Sequence, residues 1–368
     1  MKFVFLGLSI TSSWGNGHAT TYRALLRALH RRGHELTFLE RDVPWYADHR
    51  DLPRPNYARV GLYRSLIQLQ HEFVGTIANA DCVVVGSYVP QGIAVCRWVL
   101  ENASGMTSFY DIDTPVTLAR LERGDCDYLA TDLIPRFDFY LSFTGGPTLD
   151  LLELEHGARC ARPLYCSIDP EHYFPTRAPE KWMLGYLGTY SPDRQAGLER
   201  LLLAPACMLP QMNFVVAGPQ YPAGVVWPPN VARIDHLSPS RHRAFYNSQR
   251  FTANLTRADM RAAGYSPSVR LFEAAACATP IISDDWAGLD EFFVPGEEIL
   301  IATSTRDVVT ILRETSARDA RAIGERARER VLAEHTAEHR AAELESAVAQ
   351  ARGAGSGKQL RRQLAAKV

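Results

Sequence analysis

No stretch of this chain approaches the roughly 20 consecutive apolar residues that a membrane-crossing helix requires. Nor does one sign of charge dominate: 40 Lys and Arg stand against 41 Asp and Glu, a formal net charge of −1. That balance gives no general argument for nucleic acid or a membrane surface as partner. The 7 cysteines are odd in number and lie in apolar segments such as Asp81-Cys82-Val83-Val84-Val85, with no Cys-x-x-Cys spacing. Neither a zinc site nor a disulfide frame is therefore expected, and the cysteines read as small core residues in a reducing cytoplasm. The sequons at Asn102 and Asn254 are then incidental. No short-period repeat is present. The apolar start Met-Lys-Phe-Val-Phe-Leu-Gly-Leu runs straight into a Gly-rich turn and an amphipathic helix, so it reads as a first buried strand rather than a leader.

A length of 368 residues exceeds one ordinary core and points to two domains. The 46% hydrophobic and 22% charged content fits a globular protein. Apolar, β-rich runs alternate with helical patterns, the mark of a mostly parallel sheet flanked by helices. In the first half the pattern predicts strands near 3–10, 35–40, 82–88, 107–111, 139–143 and 163–167. In the second half it predicts them near 183–188, 213–217, 233–236, 251–255, 280–283 and 298–302. Each set suffices for one Rossmann-like domain. We expect a first domain over 1–170, a linker over 171–181 marked by Pro pairs, and a second domain over 182–304. Ala-, Arg- and Glu-rich helices should follow over 305–352, with the pair His335 and His339 on an exposed helix face. A disordered basic tail is expected over 353–368, carrying Lys358, Arg361, Arg362 and Lys367.

The most informative segment covers 264–295. Gly264 leads into Ser266 and Pro267, a favourable N-cap residue and first helical residue. A helix start of this kind offers unpaired N–H groups and partial positive charge to a phosphate. Arg270 falls in the opening turns, and Glu273 follows as an acceptor suited to vicinal hydroxyls. This run resembles the donor-binding segment of GT-B glycosyltransferases, most closely those similar to the spore-maturation protein CgeB. Its Gly264-Tyr265-Ser266-Pro267-Ser268-Val269-Arg270-Leu271-Phe272-Glu273 follows the version found in that group. The related retaining families carry a Glu-x7-Glu pattern, an Ala-rich helix and then Gly-x-Pro-Val/Ile. Glu273 matches the second Glu, which there binds the ribose; the first falls at Tyr265 and the usual Gly at Ala278, two departures. The resemblance implies two Rossmann-like domains facing a cleft between them, terminal helices packing back across the junction, and a nucleotide-sugar donor, UDP-linked by family habit.

In the first half, Ser12-Ser13-Trp14-Gly15-Asn16-Gly17-His18 links the first strand to a helix. Its Gly15 and Gly17 would line a ligand edge, but the third glycine of a dinucleotide fingerprint is missing, for Thr20 stands there. Glu40, after the second strand, resembles a ribose-binding acid and keeps a nicotinamide reading open. Inverting GT-B enzymes place a catalytic His in the first loop, oriented by an Asp from a later strand. His18 matches that base by position, and Asp111 or Asp113 could orient it. Asp111-Ile112-Asp113 also spells the metal-binding Asp-x-Asp of the other large glycosyltransferase fold. In a GT-B chain the second domain holds the diphosphate, so neither a metal nor another cofactor is expected. The turn Thr144-Gly145-Gly146-Pro147 is a further edge candidate, or a plain turn.

In the second half, Gly188 would let the backbone approach a diphosphate, with Arg194 and Arg257 to neutralise it or to form surface ion pairs instead. The run His236-Leu237-Ser238-Pro239 occupies the place where GT-B families read the base through backbone groups. Asp284, Asp285, Trp286, Gly288 and Glu291 would bound a sugar pocket or cap a helix. The reading is a cytoplasmic, metal-independent glycosyltransferase passing a sugar to an unidentified hydroxyl-bearing acceptor, with stereochemistry open. Its rivals are a nucleotide-sugar epimerase of the same fold and a non-catalytic module in glycan assembly or a coat-like structure.

Overall fold

The computed structural model describes residues 1–365. They divide into two units: Met1–Tyr165 together with the terminal helix Ala337–Ala365, and Cys166–Thr336. In the first unit, strands β1 (Lys2–Gly7), β2 (Glu35–Arg41), β3 (Arg59–Tyr63), β4 (Cys82–Gly86), β5 (Met106–Asp111), β6 (Phe139–Ser142) and β7 (Ala161–Pro163) form a sheet ordered β3-β2-β1-β4-β5-β6-β7. Every pairing is parallel; Phe3, for example, lies opposite Leu36 on one side and Cys82 on the other. Near-continuous apolar runs such as Cys82-Val83-Val84-Val85 are what a strand covered on both faces needs.

The second unit repeats the plan with β8 (Trp182–Leu187), β9 (Phe214–Ala217), β10 (Val231–Ile234), β11 (Gln249–Asn254), β12 (Ile281–Ser283) and β13 (Leu300–Ile301), ordered β10-β9-β8-β11-β12-β13. In each sheet the winding reverses once, between β1 and β4 and between β8 and β11. Crevices at the carboxyl ends of strands on either side of such a reversal are where doubly wound sheets bind ligands. The fold class expected from the sequence is the one observed.

One strand escaped the sequence pattern. β3 is an edge strand whose Arg59 and Leu62 are exposed and whose alternation is interrupted by Gly61. A Cβ at Gly61 would sit 2.6 Å from the Phe73 ring and 2.7 Å from Leu39, so packing demands the glycine that obscures the strand.

The C-terminal helices part company. Thr305–Glu314 and Ala317–Glu334 belong to the second unit, whereas Ala337–Ala365 belongs to the first. This last helix buries Ala337, Ala341, Leu344 and Val348, one face at helical spacing, and packs on helix His18–Arg31. Its charged flank is anchored there too. Arg31 donates to Glu338 at 2.7 Å, and Arg32 grips Glu345 through two nitrogens at 2.9 and 2.6 Å. The Arg32 bonds, with His34 alongside, hold the Glu345 carboxyl down at about 2 against a smaller upward push from burial. The helix runs on to Ala365 and takes in most of the segment expected as a disordered tail; residues 366–368 lie outside the described ones. His335 and His339 are not neighbours on one exposed helix. His335 closes Ala317–Glu334 as its C-cap and is buried against the Phe272 and Phe292 rings. The chain breaks before the next helix begins, so the i,i+4 spacing carries no helical meaning.

Ala278, the residue standing where related families carry glycine, has φ +54°. It ends helix Val269–Ala276, with its N–H on Ala275 O and the Thr279 N–H on Ala274 O. The left-handed conformation costs an L-residue with a Cβ about 1–2 kcal/mol. Replacing Ala278 by glycine should therefore stabilise the chain by about 0.5–1 kcal/mol after the added unfolded-state entropy, read as a higher urea midpoint with an unchanged slope.

Candidate functional site

At the winding reversal of the second sheet, Arg270 joins the two strand ends. Its Nε donates to Leu187 O at the end of β8, and its Nη1 donates at 2.9 Å to Asn254 Oδ1 at the end of β11. The guanidinium lies over the Tyr186 ring, 4.7 Å from its centroid, and the residue is buried. The remaining nitrogen, Nη2, faces Gly188: a Cβ there would lie 3.0 Å from Nη2 and 2.4 Å from the Tyr186 hydroxyl. Gly188 thus keeps open the space in front of a buried cation.

Asn254, which the sequence offered only as a sequon, organises this edge. Its carbonyl oxygen accepts from Arg270 and from the Ser268 hydroxyl at 2.8 Å, while its amide donates to Ser283 at 2.9 Å and Thr256 at 3.3 Å. The helix begins at Val269 with Ser268 as N-cap, two residues later than the Ser266-Pro267 reading predicted. The reason is local. Gly264 and Tyr265 both take positive φ, the Tyr265 N–H bonds to Ala287 O, and Cys166 Sγ donates to Pro267 O, so the chain stays extended until Ser268. Ser266 is buried.

Arg194 sits in helix Pro192–Leu198 after β8 and donates to Thr189 O at 2.7 Å; its Nε is buried with no bond. It lies among Tyr186, Tyr190, Gln195 and Tyr221. Arg257 instead faces Asp193 at 3.6 Å, and Asp193 also accepts the Ala258 N–H, which ties the loop after β8 to the loop after β11.

Glu273 is not open to solvent. Only 2% of it is exposed; Oε1 accepts the Tyr173 hydroxyl at 2.7 Å and Oε2 accepts that of Tyr246 at 2.9 Å. His242 Nδ1 lies 3.6 Å from Oε2, and its Nε2 donates to Leu237 O at 3.2 Å. Burial pushes the carboxyl upward, but His242 and the two tyrosines outweigh it and hold the group below its ordinary value of 4.5. Tyr173, Tyr246 and His242 escaped sequence reasoning because they lie far from Glu273 in the chain, His242 and Tyr246 on helix Pro239–Asn247 and Tyr173 well before it. Leu237 is buried, Trp286 is buried with its Nε1 unbonded, and Asp285 is exposed. Asp284 accepts from the Thr256 N–H and hydroxyl, so it fastens β11's loop rather than facing a pocket.

In the first unit the same edge gathers residues from the ends of β1, β4 and β5. His18 opens helix His18–Arg31 behind Gly17, and its Nε2 stands 3.8 Å from Asp113 Oδ2. That oxygen also accepts the Tyr88 hydroxyl at 3.1 Å, and the Tyr88 ring meets His18 edge-on at 5.4 Å. Tyr88 adopts φ +64°, a strained setting that turns its side chain to this cluster. His18 Nδ1 is buried and unbonded. Of the two candidate carboxylates, Asp113 is therefore the one beside His18. Asp111 points inward, accepting from Tyr140 at 2.6 Å and Thr117 at 2.8 Å, and burial chiefly pushes it up to about 6. The Asp-x-Asp pair is thus split between two environments. Glu40 accepts four bonds, from the Ser9 and Thr11 hydroxyls and the Ile10 and Thr11 N–H groups. It braces the loop after β1 and has no face left for a ribose. Gly15 supplies positive φ to a turn.

Glu273's depressed value fixes a pH dependence. Its contribution is complete above the unfolded value near 4.5 and is lost as the pH falls through the lower folded value. At neutral pH, Glu273→Gln should cost about 2 kcal/mol in urea unfolding, and the gap to wild type should narrow steadily on acidification below about pH 5.

Among known proteins, a family model described as glycosyl transferase-like matches residues 194–346. No curated protein matches the sequence. Similar solved structures include a sucrose-phosphate synthase from Thermosynechococcus elongatus, 16% identical with a TM-score of 0.66, each chain covered over 100% of its length. HepE of Anabaena in complex with UDP-glucose is 13% identical with a TM-score of 0.70, over 95% of this chain and 100% of that one. An α-glucosyltransferase in complex with UDP is 12% identical with a TM-score of 0.70, over 95% and 99%. Among the described residues no helix is long and apolar enough to cross a membrane. The chain has the GT-B fold of glycosyltransferases, and residues 194–346 carry its glycosyl transferase-like signature.

Proposed function

We propose that this chain is a glycosyltransferase of the CgeB-like group that moves a sugar from a UDP-linked donor to a hydroxyl-bearing acceptor without a metal ion. The observation that carries the reading is Arg270: a buried cation fixed across the winding reversal, with Nη2 turned to the space that Gly188 leaves open. Breaking the bond between the anomeric carbon and the diphosphate oxygen concentrates negative charge on the leaving group. Arg270, Arg194 and the first turn of helix Val269–Ala276 would stabilise it with fixed, partly desolvated donors. The solved structures that share the fold and hold UDP or UDP-glucose support the choice of donor.

As the acceptor oxygen bonds to the anomeric carbon, its proton must leave. His18 is the side chain assigned to take it, with Asp113 Oδ2 3.8 Å from its Nε2 to orient the ring. Glu273 is assigned here to holding Tyr173, Tyr246 and His242 rather than to the ribose.

Calorimetric titration with UDP, GDP and ADP tests the donor assignment. Wild type should bind UDP selectively, and Arg194→Ala should weaken it by about tenfold or more, the loss of one charge-assisted contact. Absence of heat from every nucleotide at millimolar concentration would overturn the reading. His18→Ala should slow UDP release from a UDP-sugar in the presence of acceptor by about 100-fold or more, with UDP affinity unaltered.

A further inference from the structure

The outer flank of the first sheet turns large apolar side chains to solvent. Trp45 follows β2 in the short helix Pro44–Ala47 and is 58% exposed. Ile67 follows β3 in helix Leu66–Ala78 and is 78% exposed. The two segments lie side by side. The Asp42 N–H donates to Tyr63 O at 2.8 Å, and the Arg64 guanidinium stands 3.7 Å from the Asp42 carboxylate. Trp45 is three residues beyond Asp42 and Ile67 three beyond Arg64, so both flank that ion pair at the carboxyl edge of the sheet. The start of the second helix is fixed, because Ser65 accepts the Gln68 N–H at 3.1 Å and Gln68 accepts the Arg64 N–H at 2.8 Å.

Helix Leu66–Ala78 has more apolar residues than it buries. Leu69 and Ile77 are its buried residues, yet Leu66, Ile67, Phe73 and Val74 are apolar as well. Ile67, His71 and Val74 are all exposed and recur at helical spacing, so they share one outward face. Leu62, on the edge strand β3, is exposed too. Cations border this apolar surface. Arg59 and Arg64 stand at the two ends of β3, and Arg54 lies between Pro53 and Pro55 in the segment that leads into it. All three are exposed, and Arg54 and Arg59 form no hydrogen bond or ion pair among the described residues. Of the neighbouring acids, Asp42 accepts from Arg50 and Asp51 takes two bonds from Arg23, which leaves Asp48 and Glu72. The flank is therefore locally basic in a chain whose net charge is −1.

We propose that this flank docks on the surface of a bilayer containing anionic lipid. Trp45 and Ile67 enter the headgroup layer, and Arg54, Arg59 and Arg64 meet the lipid phosphates. An indole suits that layer because its ring is apolar while its N–H still finds a polar partner. Arginines held near an anionic leaflet are drawn to it, and the apolar side chains supply the attraction that charge alone does not. A second copy of this chain is a poorer occupant. Pairing two β3 edges about a two-fold axis would gather Arg59 and Arg64 of both copies along one seam, where like charges repel. A soluble polyanion would meet the arginines and leave Trp45 and Ile67 in water. The proposal stands independently of the transferase reading.

Flotation of the full-length chain with vesicles of phosphatidylcholine alone, and of an equal mixture with phosphatidylglycerol, tests it. Wild type should partition about tenfold or more better onto the anionic vesicles, and added salt should erode that gain. Trp45→Ser and Ile67→Ser should each lower the partition about tenfold, and Arg59→Gln about fivefold. These side chains are exposed, so the thermal midpoints of the variants should match wild type. Binding to neither vesicle, equal binding to both, or undiminished binding by Trp45→Ser and Ile67→Ser overturns the proposal. So does a concentration-dependent dimer in sedimentation velocity that Trp45→Ser abolishes, which would give the face to a second copy. UDP titration of wild type is run alongside. Vesicle binding with a silent UDP response sinks the transferase reading alone; UDP binding without vesicle binding sinks the docking proposal alone.

Discussion

The second unit depends on a hydrogen-bonded lock at the winding reversal of its sheet. Asn254 and Arg270 are each buried and polar, and each would be costly there alone. Together they satisfy one another: Asn254 accepts from Arg270 and Ser268 while Arg270 reaches across to the carbonyl of Leu187. The arrangement fixes the end of β8, the end of β11 and the start of helix Val269–Ala276 relative to one another. It also leaves a cation with one unused nitrogen beside the glycine that opens the edge. Pre-positioned charge of this kind needs no reorganisation when an anion arrives, which is why it suits leaving-group stabilisation.

Glu273 shows how one residue in a recognisable pattern can take a different part. A buried carboxylate needs compensation, and here it comes from two tyrosine hydroxyls and a histidine. The histidine in turn holds the carbonyl of Leu237, so the anion orders a loop as well as a helix. With both oxygens accepting and almost no exposure, Glu273 behaves as the centre of a polar core. The pattern identified the helix correctly, while the partners decided what its acid does.

In the first unit, two aspartates separated by a single residue diverge for a simple reason. Asp111 is the last residue of β5 and points into the sheet's covering, where Tyr140 and Thr117 meet it. Asp113 lies beyond the strand end, where Tyr88 and His18 approach. Their spacing suggested a shared metal role; the change from strand to turn between them separates their side chains.

Much of this protein is determined locally and so is legible in the sequence. Continuous apolar runs separated by helical patterns specify doubly wound sheets, because a strand covered on both faces has no polar side to show. The loop glycines and the Ser-Pro-Ser-x-Arg-x-Phe-Glu run likewise mark the strand ends that matter, since backbone conformation and helix starts are set within a few residues. β3 stayed hidden because Gly61 satisfies a packing contact with Phe73 that no local pattern announces. The roles of Asn254, His242, Tyr173 and Asp113 were decided only by tertiary structure. Each acts through a partner 14 to 100 positions away, from Ser268 for Asn254 to Glu273 for Tyr173. Sequence alone determined which residues could carry charge or accept a bond; only the fold decided which of those groups were already satisfied and which were left to meet a ligand.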